Sequence, residues 1–487
     1  MYENYNSLGF FSNYFSRNEK IITHKTFEDA VTNLHQKIID PVTFLEIFSK
    51  GYCFANRTLV KDLYRTPWMA KPSSDNSDWE YFKLPKHDKN KFSENEIAEK
   101  FYNLLEEEMY SFCSEKKNIG VLLSGGMDSR ISAGILQNLL NKGNLNAKVT
   151  AITWGIENSR DIIYAEQIAK RFQWEWRHIN LTAKILLDNL DYCSEIGCEV
   201  SPIHLHAMPV VQNLNGLDCI IASSFGDSIG RGVFSSRHIS NLKNISEYLF
   251  NWFYLLKNKP YRKYKEIAKN DLELYRNNYV RSEIYQILEI EQLSIYMRRM
   301  LNTCIGIINQ KIPTYQTFAT PNVYGFIWSI DKSLRNDSIY AYIIKNYLKE
   351  LSDIPWSKTG KRYNTTEGTS DAYLKEYHMY HKWINEDIFD NLFANLNSYN
   401  IDKLYFLNKK SLEKAILANR KIITNRVTRV DQVFTWLVSV IKMMQKFDIQ
   451  TNETNFKQSV RDEIQSHFVT PYVMLLEKII DFKKKIK

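Results

Sequence analysis

The feature that most restricts the fold of this chain is a segment in which an apolar strand ends in two glycines and a helix begins at once. Residues 121–130 read Val-Leu-Leu-Ser-Gly-Gly-Met-Asp-Ser-Arg. Gly125 and Gly126 carry no Cβ, so the backbone there can approach an anion closely. The helix that follows presents unpaired N–H groups and the positive end of its dipole. The segment therefore predicts a phosphate-binding turn between a buried strand and a helix.

Polar side chains in the same segment add to this prediction. Ser124 and Ser129 supply hydroxyl groups that can donate to a phosphate. Asp128 repels an anion, and a carboxylate in an anion site is most simply a ligand of Mg²⁺. The pattern differs from the Gly-x-x-x-x-Gly-Lys-Ser/Thr loop and from the dinucleotide-binding fingerprint. We therefore expect a nucleotide phosphate site of another type, with Mg²⁺ bound beside it.

Apolar runs and helical periodicity alternate around this segment. Strands that alternate with helices favour an α/β fold, in which right-handed crossovers join a parallel, doubly wound sheet. Beyond about residue 240 the pattern is almost entirely helical. The strands are predicted at 119–123, 147–154, 174–181 and 218–222, and the helices at 127–140, 161–172 and 183–190.

The region before residue 93 lacks this alternation. Short runs of apolar residues predict strands at 52–55, 58–60 and 79–82, with polar loops between them. A helix is predicted to start at Ser93, because Glu96 three residues later completes a capping box. The N-terminal region is therefore expected to be small and rich in β-structure.

The six residues Ser-Gly-Gly-Met-Asp-Ser resemble the pyrophosphate loop of the N-type ATP pyrophosphatases, the PP-loop superfamily. Members of that superfamily have an adenine nucleotide α-hydrolase-like fold, cleave ATP between its α and β phosphates and adenylate a carbonyl oxygen. Residues 150–155 (Thr-Ala-Ile-Thr-Trp-Gly) and 220–230 (Ile-Ile-Ala-Ser-Ser-Phe-Gly-Asp-Ser-Ile-Gly) are similar to segments of asparagine synthetases. Residues 355–360 (Pro-Trp-Ser-Lys-Thr-Gly) resemble a late basic loop of that family.

This resemblance implies an ATP site and two metal ligands. Asp128 and Asp227 match two family aspartates that bind Mg²⁺ beside the pyrophosphate; for Asp227 a helix N-cap without metal is the alternative. Lys358 or Lys361 would stand for the family's pyrophosphate lysine, while Lys345 is out of register; a solvated loop lysine is the other interpretation. The residues implied to contact ATP or pyrophosphate are Leu122, Ser124, Gly125, Gly126, Asp128, Ser129, Thr153, Trp154, Gly155, Ser223 and Ser224.

The N-terminal region departs from the family pattern. Tyr2 stands where glutamine-using asparagine synthetases have their nucleophilic cysteine, and the first cysteine is Cys53. We therefore expect a truncated glutaminase-like remnant over 1–92 that releases no ammonia. The expected ATP domain spans 93–365, and a helical C-terminal region spans 366–487.

The expected synthetase site departs from the family as well. Ser224 and Ser228 replace two family glutamates, and a serine cannot transfer a proton as a carboxylate does. His204 and His206 are candidate replacement bases near the acceptor substrate; the alternative is that their i, i+2 spacing simply places one ring inside the protein and one outside. Arg231 is a candidate contact for an anionic substrate. ATP and Mg²⁺ are therefore better supported as ligands than the conversion of aspartate to asparagine.

Composition sets further limits. The 487 residues are 44% hydrophobic and 24% charged, which excludes wholesale disorder. A formal charge of +9 favours anionic partners but is too small to indicate nucleic-acid binding. The six scattered cysteines suit a reduced compartment, and with no visible signal peptide or long apolar span we expect a cytoplasmic protein without stable membrane insertion. Residues 481–487 (Asp-Phe-Lys-Lys-Lys-Ile-Lys) are interpreted as a solvated charge run, with anionic lipid contact as the alternative.

The function expected from the residues and the resemblance together is an ATP-dependent, amide-forming ligase. Its acyl substrate would be a small carboxylate, a sugar acid or a peptide acid, in surface-polysaccharide or natural-product biosynthesis. The amine would be ammonia, in one version delivered by a partner protein, or an amine of the substrate itself, as in lasso-peptide and β-lactam cyclases. Two alternatives remain open: a PP-loop enzyme that modifies tRNA, and a nucleotide-binding homologue without catalysis.

Overall fold

The computed structural model describes residues 13–232, 249–363, 365–368, 372–398, 401–451 and 456–486, with side chains to residue 483. Tyr2 lies outside these residues. Ten strands are present in them. In chain order they are β1 Tyr14–Arg17, β2 Ile21–His24, β3 Leu63–Arg65, β4 Ala70–Pro72, β5 Trp79–Tyr81, β6 Asn118–Leu122, β7 Lys148–Gly155, β8 Glu175–Asn180, β9 Cys219–Ala222 and β10 Thr314–Gln316.

Helices surround and extend this framework. The α-helices to residue 309 are Phe27–Thr32, Pro41–Lys50, Glu94–Cys113, Met127–Asn141, Arg160–Arg171, Ala183–Glu195, Met208–Val211, Gly226–Ile229, Asn258–Asn277, Ile284–Glu291 and Asn302–Asn309. Those that follow are Pro321–Ser329, Ser338–Tyr347, Tyr380–Lys382, Phe389–Ser398, Lys409–Asn419, Arg429–Phe447, Val460–His467 and Val469–Ile486. Wider π-helical turns cover Gln292–Leu301 and Trp383–Asp387, and short 3₁₀ turns cover Pro202–Leu205, Trp252–Tyr254, Lys332–Leu334, Lys349–Leu351 and Ile401–Lys403.

The central sheet has the order β10-β9-β6-β7-β8, and all of its strand pairs are parallel. Chain order runs outward from β6 in both directions, so the direction of winding reverses between β6 and β9. Ligands of open α/β sheets bind at such a point, outside the carboxyl ends of the strands. The predicted doubly wound α/β fold is confirmed, and its geometry directs attention to the residues that follow β6 and β9.

Most of the predicted elements of this sheet are found within two residues of their expected ends. The capping box at Ser93 and Glu96 is also present. β10 was not predicted, since it lies in a region whose pattern is helical and has only three residues. It forms because Thr314 pairs with Ile220 of β9, a contact between residues far apart in the chain.

The N-terminal region contains an antiparallel sheet, β2-β1-β3, and the separate pair β4-β5. The strand expected at 79–82 is confirmed as β5. The strands expected at 52–55 and 58–60 are wrong, because these residues form turns with isolated bridges. Their apolar side chains are buried against other elements rather than aligned in a ladder; Cys53 and Leu59 are completely buried.

Three charged residues join this N-terminal sheet to the central domain. Glu199, which follows the Ala183–Glu195 helix, accepts a hydrogen bond of 2.9 Å from Arg65 of β3. It accepts another of 2.7 Å from Arg299 in the Gln292–Leu301 turn. Glu199 and Arg299 are almost fully buried. Burial alone raises the pKa of Glu199, but the two guanidinium groups hold the pKa below its usual value.

The C-terminal helices pack against both earlier regions. Trp436 of the Arg429–Phe447 helix lies 5.0 Å from Phe44, between ring centroids, and donates to the carbonyl of Cys198 at 2.6 Å. All six cysteines are free thiols, and five of them are buried. Among the described residues, no helix combines the length and the apolar character needed to cross a bilayer.

Candidate functional site

A cavity of about 260 Å³ opens at the carboxyl ends of β6, β7 and β9. The predicted ATP residues that line it come from three separate stretches of chain. They share this wall because parallel strands end at the same edge of the sheet. The lining residues are Leu122, Leu123, Ser124, Gly126, Asp128, Ser129, Trp154, Asp161, Ser223, Ser224 and Tyr377.

Hydrogen bonds within the Ser-Gly-Gly turn fix its shape. Ser124 N–H donates to Ser129 Oγ at 3.2 Å, and Gly126 N–H donates to Ser124 Oγ at 3.1 Å. The two serine hydroxyls lie 3.1 Å apart. Ser124 and Ser129 therefore hold the backbone N–H groups of the turn as well as facing the cavity.

Gly125 is also needed for the packing of two loops. It does not line the cavity; a Cβ at this position would lie 2.9 Å from the carbonyl oxygen of Arg160 and from Cβ of Ser357. Ser357 N–H donates to the Gly125 carbonyl at 3.0 Å. Asp161 accepts from the Ser357 hydroxyl and from Gly125 N–H, and these bonds oppose the rise in the pKa of Asp161 that burial causes. The absent Cβ thus allows the Ser-Gly-Gly turn to pack against the 355–360 loop.

The side chain of Arg130 also connects the Ser-Gly-Gly turn to the 355–360 loop. Its side chain is buried, and its guanidinium donates to the carbonyl oxygens of Ile354 at 2.6 Å and Pro355 at 2.7 Å. Burial lowers the pKa of Arg130 to about 9. The first turn of the Met127–Asn141 helix is therefore anchored to the start of the 355–360 loop.

Asp128 lies at the edge of the cavity, where several groups fix its carboxylate. Arg231 Nε is 3.3 Å from Asp128 Oδ1, and the Tyr340 hydroxyl hydrogen-bonds to the carboxylate. Burial raises the pKa of Asp128 to about 6, although Arg231 opposes the rise; the negative charge of Asp227 adds to it. Asp128 and Asp227 are thus close enough to interact electrostatically.

Asp227 lies beside the cavity rather than in its lining. It occupies the first turn of the Gly226–Ile229 helix, whose N-cap residue is Phe225, so the alternative in which Asp227 is the N-cap is wrong. Ser228 Oγ donates to its carboxylate at 3.3 Å. Among the described residues no group of three or more histidine, cysteine or carboxylate side chains could hold a metal ion.

Two cations flank the ring of Trp356 next to this pair of carboxylates. The guanidinium of Arg231 lies 5.3 Å from the ring centroid, and the ammonium of Lys358 lies 5.0 Å from it. Arg231 is buried and also approaches Asp337 at 3.7 Å, whereas Lys358 is exposed. Arg231 therefore brings positive charge to Asp128 from a buried position, and Lys358 adds a second, exposed positive charge nearby.

Of the three residues predicted to contact ATP at the turn after β7, only Trp154 lines the cavity. The Thr153 hydroxyl is buried and accepts from Trp176 Nε1 at 3.2 Å. Gly155 has a φ of +150°, and a Cβ there would lie 3.1 Å from the carbonyl oxygen of Tyr377. Gly155 allows residue 377 to close over the turn.

Comparison with known proteins agrees with this geometry. Residues 100–209 match the model of the asparagine synthase family. This span includes the Ser-Gly-Gly turn and Trp154, whereas Asp227, Arg231 and Lys358 lie outside the matched residues. The match supports an ATP-dependent ligase or synthetase in general.

Solved structures of low similarity are also found. NMN synthetase from Francisella tularensis is 16% identical over 43% of this chain and 97% of that chain, with a TM-score of 0.23. NAD+ synthetase from Burkholderia pseudomallei is 12% identical over 54% and 91%, with a TM-score of 0.20. U34-tRNA thiolase NcsA from Methanococcus maripaludis is 14% identical over 53% and 95%, with a TM-score of 0.24. A search of curated proteins gives no match.

The two histidines predicted as candidate bases lie in different surroundings. His204 faces Gln432 and His378, and burial lowers its pKa to about 4. His206 Nδ1 lies 3.1 Å from the Tyr380 hydroxyl, and its ring centroid is 6.4 Å from that of Trp154; burial lowers the pKa of His206 to about 3. Both rings are therefore neutral near pH 7, and neither lines the cavity.

Sequence reasoning missed three residues that shape the site. Tyr377 and Tyr340 approach from segments with no recognisable motif, so nothing local indicated them. Asp161 had a detectable signal, since it is an acidic residue at the start of the helix that follows the turn after β7. Its position there gives the carboxylate access to the Ser-Gly-Gly turn.

Gly226 packs so closely against Asp128 and Tyr340 that there is no space for a larger residue. A Cβ would be 2.6 Å from Cβ and Cγ of Asp128 and from the Tyr340 hydroxyl. We expect Gly226→Ala to lower the free energy of unfolding by about 1–3 kcal/mol, as overpacking usually does. Gly306→Ala is the matched control, because Gly306 is also helical but has open space around it. Urea unfolding that shows equal stability for both variants would contradict the close packing at Asp128.

Proposed function

We propose that this chain is an ATP-dependent ligase that activates a carboxylate as its adenylate and transfers the acyl group to ammonia or an amine. The observation that carries the proposal is the meeting of two loops at the reversal point of the sheet. One loop brings Ser124, Ser129 and Asp128, and the other brings Ser223 and Ser224, to a single cavity. This cavity combines hydroxyl groups, a helix N-terminus and a carboxylate. Such a set of groups suits a nucleoside triphosphate with its metal ion.

The proposed reaction has two steps. First, a carboxylate oxygen of the substrate attacks the α-phosphorus of ATP, the bond from that phosphorus to the bridging oxygen breaks, and pyrophosphate leaves. Then the nitrogen of the amine attacks the acyl carbon. The bond between the acyl carbon and the AMP oxygen breaks, AMP leaves, and the nitrogen loses a proton. Ser124 and Ser129 would hold the departing pyrophosphate through donors that are already oriented, which lowers the barrier electrostatically.

Mg²⁺ fits the residues present, with Asp128 and Asp227 as the side chains that would hold it. Two carboxylates without a third protein ligand are the arrangement in which Mg²⁺ takes its other ligands from water and phosphate oxygens. When bound, the ion would supply positive charge to the leaving pyrophosphate. Arg231 already neutralises part of the charge on Asp128, so this chain's own cation would share that task.

Lys358 and Arg231 are the proposed cations for the phosphates. Arg231 is held by Asp128 and Asp337, and its guanidinium can present two parallel donors to a phosphate. Lys358 can extend from the rim without a change of fold, because its side chain is exposed. The transferred nitrogen would be that of ammonia, from solution or from a partner protein, or that of an amine of the substrate itself. Cys53 would not release ammonia from glutamine, because it is fully buried and burial raises the pKa of its thiol well above the usual value.

Isotope exchange between pyrophosphate and ATP tests the first step. The full chain would be incubated with Mg²⁺ and a panel of small carboxylates, sugar acids and peptide acids. Exchange that depends on one acid would support the ligase and identify its substrate class. Nucleotide binding without exchange, in the presence of amines as well, would overturn the proposal in favour of a non-catalytic homologue; exchange that requires tRNA would favour the RNA-modifying alternative.

The raised pKa of Asp128 predicts how Mg²⁺ and protons compete. Below about pH 6 this carboxyl is largely protonated and loses the charge that attracts the ion. We expect the Mg²⁺-dependent part of ATP affinity to weaken about tenfold for each pH unit below that value. Calorimetric titration of ATP between about pH 5 and 8, with Mg²⁺ and with EDTA as the control, measures this effect. An Mg²⁺ effect of constant size over this range would remove Asp128 from the ligand set.

A further inference from the structure

The last two helices expose a row of large apolar side chains. Four of them lie along one side of the Val469–Ile486 helix, the first directly before its start, and each is between 43% and 65% exposed. They are Phe468, Leu475, Ile479 and Phe482. Their spacing of seven, four and three residues places them on one face of an α-helix. The opposite side is buried, since Val469 and Val473 are completely covered. The helix is therefore anchored to the protein by one apolar face and presents a second one outward.

Acidic side chains near this row are buried or paired with basic groups of the protein. Glu477 is 3% exposed and forms an ion pair with Arg426. Asp481 pairs with the same guanidinium, at 3.0 Å. On the preceding helix, Asp462 is buried and Glu463 lies 2.7 Å from Lys410. The four acids of this part of the chain are thus engaged by groups of the protein body.

Basic side chains lie on the outward side instead. Lys478 and Lys483 are exposed beside the apolar row, and no salt bridge joins either of them to a described residue. The sequence continues with lysines at 484, 485 and 487. The outward surface thus combines apolar side chains with positive charge, which is the composition of helices that lie in the interface of an anionic membrane.

We propose that this C-terminal face, formed by Phe468, Leu475, Ile479, Phe482, Lys478 and Lys483, binds the surface of an anionic lipid bilayer. The apolar row would enter the boundary between headgroups and acyl chains, while the lysine stems lie along it and their ammonium groups reach the phosphates. The proposal does not depend on the proposed ligase activity. It concerns association with a surface, because the helix is too polar to span a membrane.

Charge favours lipid over a second copy of the chain. In a symmetric pair the two faces would bring the same lysines together, and the two acids on that helix, Glu477 and Asp481, are held by Arg426. An anionic bilayer meets the lysines with phosphate groups and accepts the apolar row at the same time. Charge complementarity therefore selects the lipid surface as the occupant.

Co-sedimentation of the full chain with vesicles tests this assignment. Vesicles of phosphatidylcholine and phosphatidylglycerol in equal parts should bind the chain, and pure phosphatidylcholine vesicles should bind it much less. Raising the salt concentration should weaken the binding. Neutralising the two lysines with Lys478→Gln and Lys483→Gln should weaken it roughly thirtyfold. The same change of net charge at Lys83→Gln and Lys86→Gln, two exposed lysines of the N-terminal region, should have little effect.

The apolar row needs its own variant. Leu475→Gln with Phe482→Gln should weaken binding by more than roughly tenfold, and these exposed positions leave the fold intact. Unchanged binding of this variant, or no binding of the natural chain to anionic vesicles, overturns the proposal. A dimer in light scattering that the same variant dissociates would assign the face to a second copy instead.

Discussion

Replacing Asp128 with asparagine is expected to lower the rate of pyrophosphate–ATP exchange by roughly 10²–10³-fold. The amide preserves the shape of the side chain and can still accept from Tyr340, so the cavity should keep its form. What it removes is the negative charge beside Asp227, on which the binding of Mg²⁺ would depend. The measurement is the exchange rate with the acid that the substrate panel identifies, at saturating ATP.

The control for this variant is another aspartate with a cationic partner. Asp191→Asn removes an exposed carboxylate that pairs with Lys442 at 2.6 Å and does not line the cavity. Its exchange rate should equal that of the natural chain. An Asp128→Asn protein that exchanges at the natural rate would show that this carboxylate takes no part in the reaction.

The second large effect concerns stability. Replacing Glu199 with glutamine should lower the free energy of unfolding by about 3–5 kcal/mol, because it removes the buried carboxylate that pairs with the buried Arg299 and with Arg65. Chemical denaturation at pH 7 measures the loss. Glu195→Gln is the matched control: Glu195 pairs with Lys446 at 2.8 Å at the surface, and such pairs contribute about 0–1 kcal/mol.

The same ion group predicts a dependence on pH. Its arginines hold the pKa of Glu199 below the value it has in an unfolded chain. The stabilisation is therefore fully present above the usual glutamate pKa and is lost as pH falls through the lower, folded value. In the Glu199→Gln protein this part of acid unfolding should be absent. Identical acid unfolding of both proteins would show that the ion group contributes nothing to it.

The central sheet and the Ser-Gly-Gly turn could be predicted because their signals are local. Strand β6, two glycines and a helix follow one another directly, and Ser124 and Ser129 lie within the same short segment. The N-terminal strands at 52–55 and 58–60 were wrong for a related reason. An apolar run records burial, and here burial comes from packing on all sides rather than from pairing with a neighbouring strand.

The rest of the candidate site depends on contacts between distant parts of the chain. Tyr340 reaches Asp128 only because Gly226 and Gly230 leave room for its ring. The two glycines lie in the 220–230 segment, but Tyr340 itself stands in no motif. Gly125 was predicted from the close approach of an anion, and the structure adds that its missing Cβ makes room for Ser357. The identity of a glycine can be read from sequence, whereas the neighbour that requires it cannot.

The position of Arg130 has a consequence for how the protein is made. The carbonyl groups that accept from this buried guanidinium lie 221 to 225 residues later in the chain. At about 5–20 residues per second, a ribosome needs roughly ten to forty-five seconds to synthesise that interval. Throughout it the carbonyl groups of residues 351, 354 and 355, which this arginine finally binds, do not yet exist. The bonds that anchor Arg130 to the late part of the chain can therefore form only late in synthesis, although Arg130 is encoded in the first third of the chain.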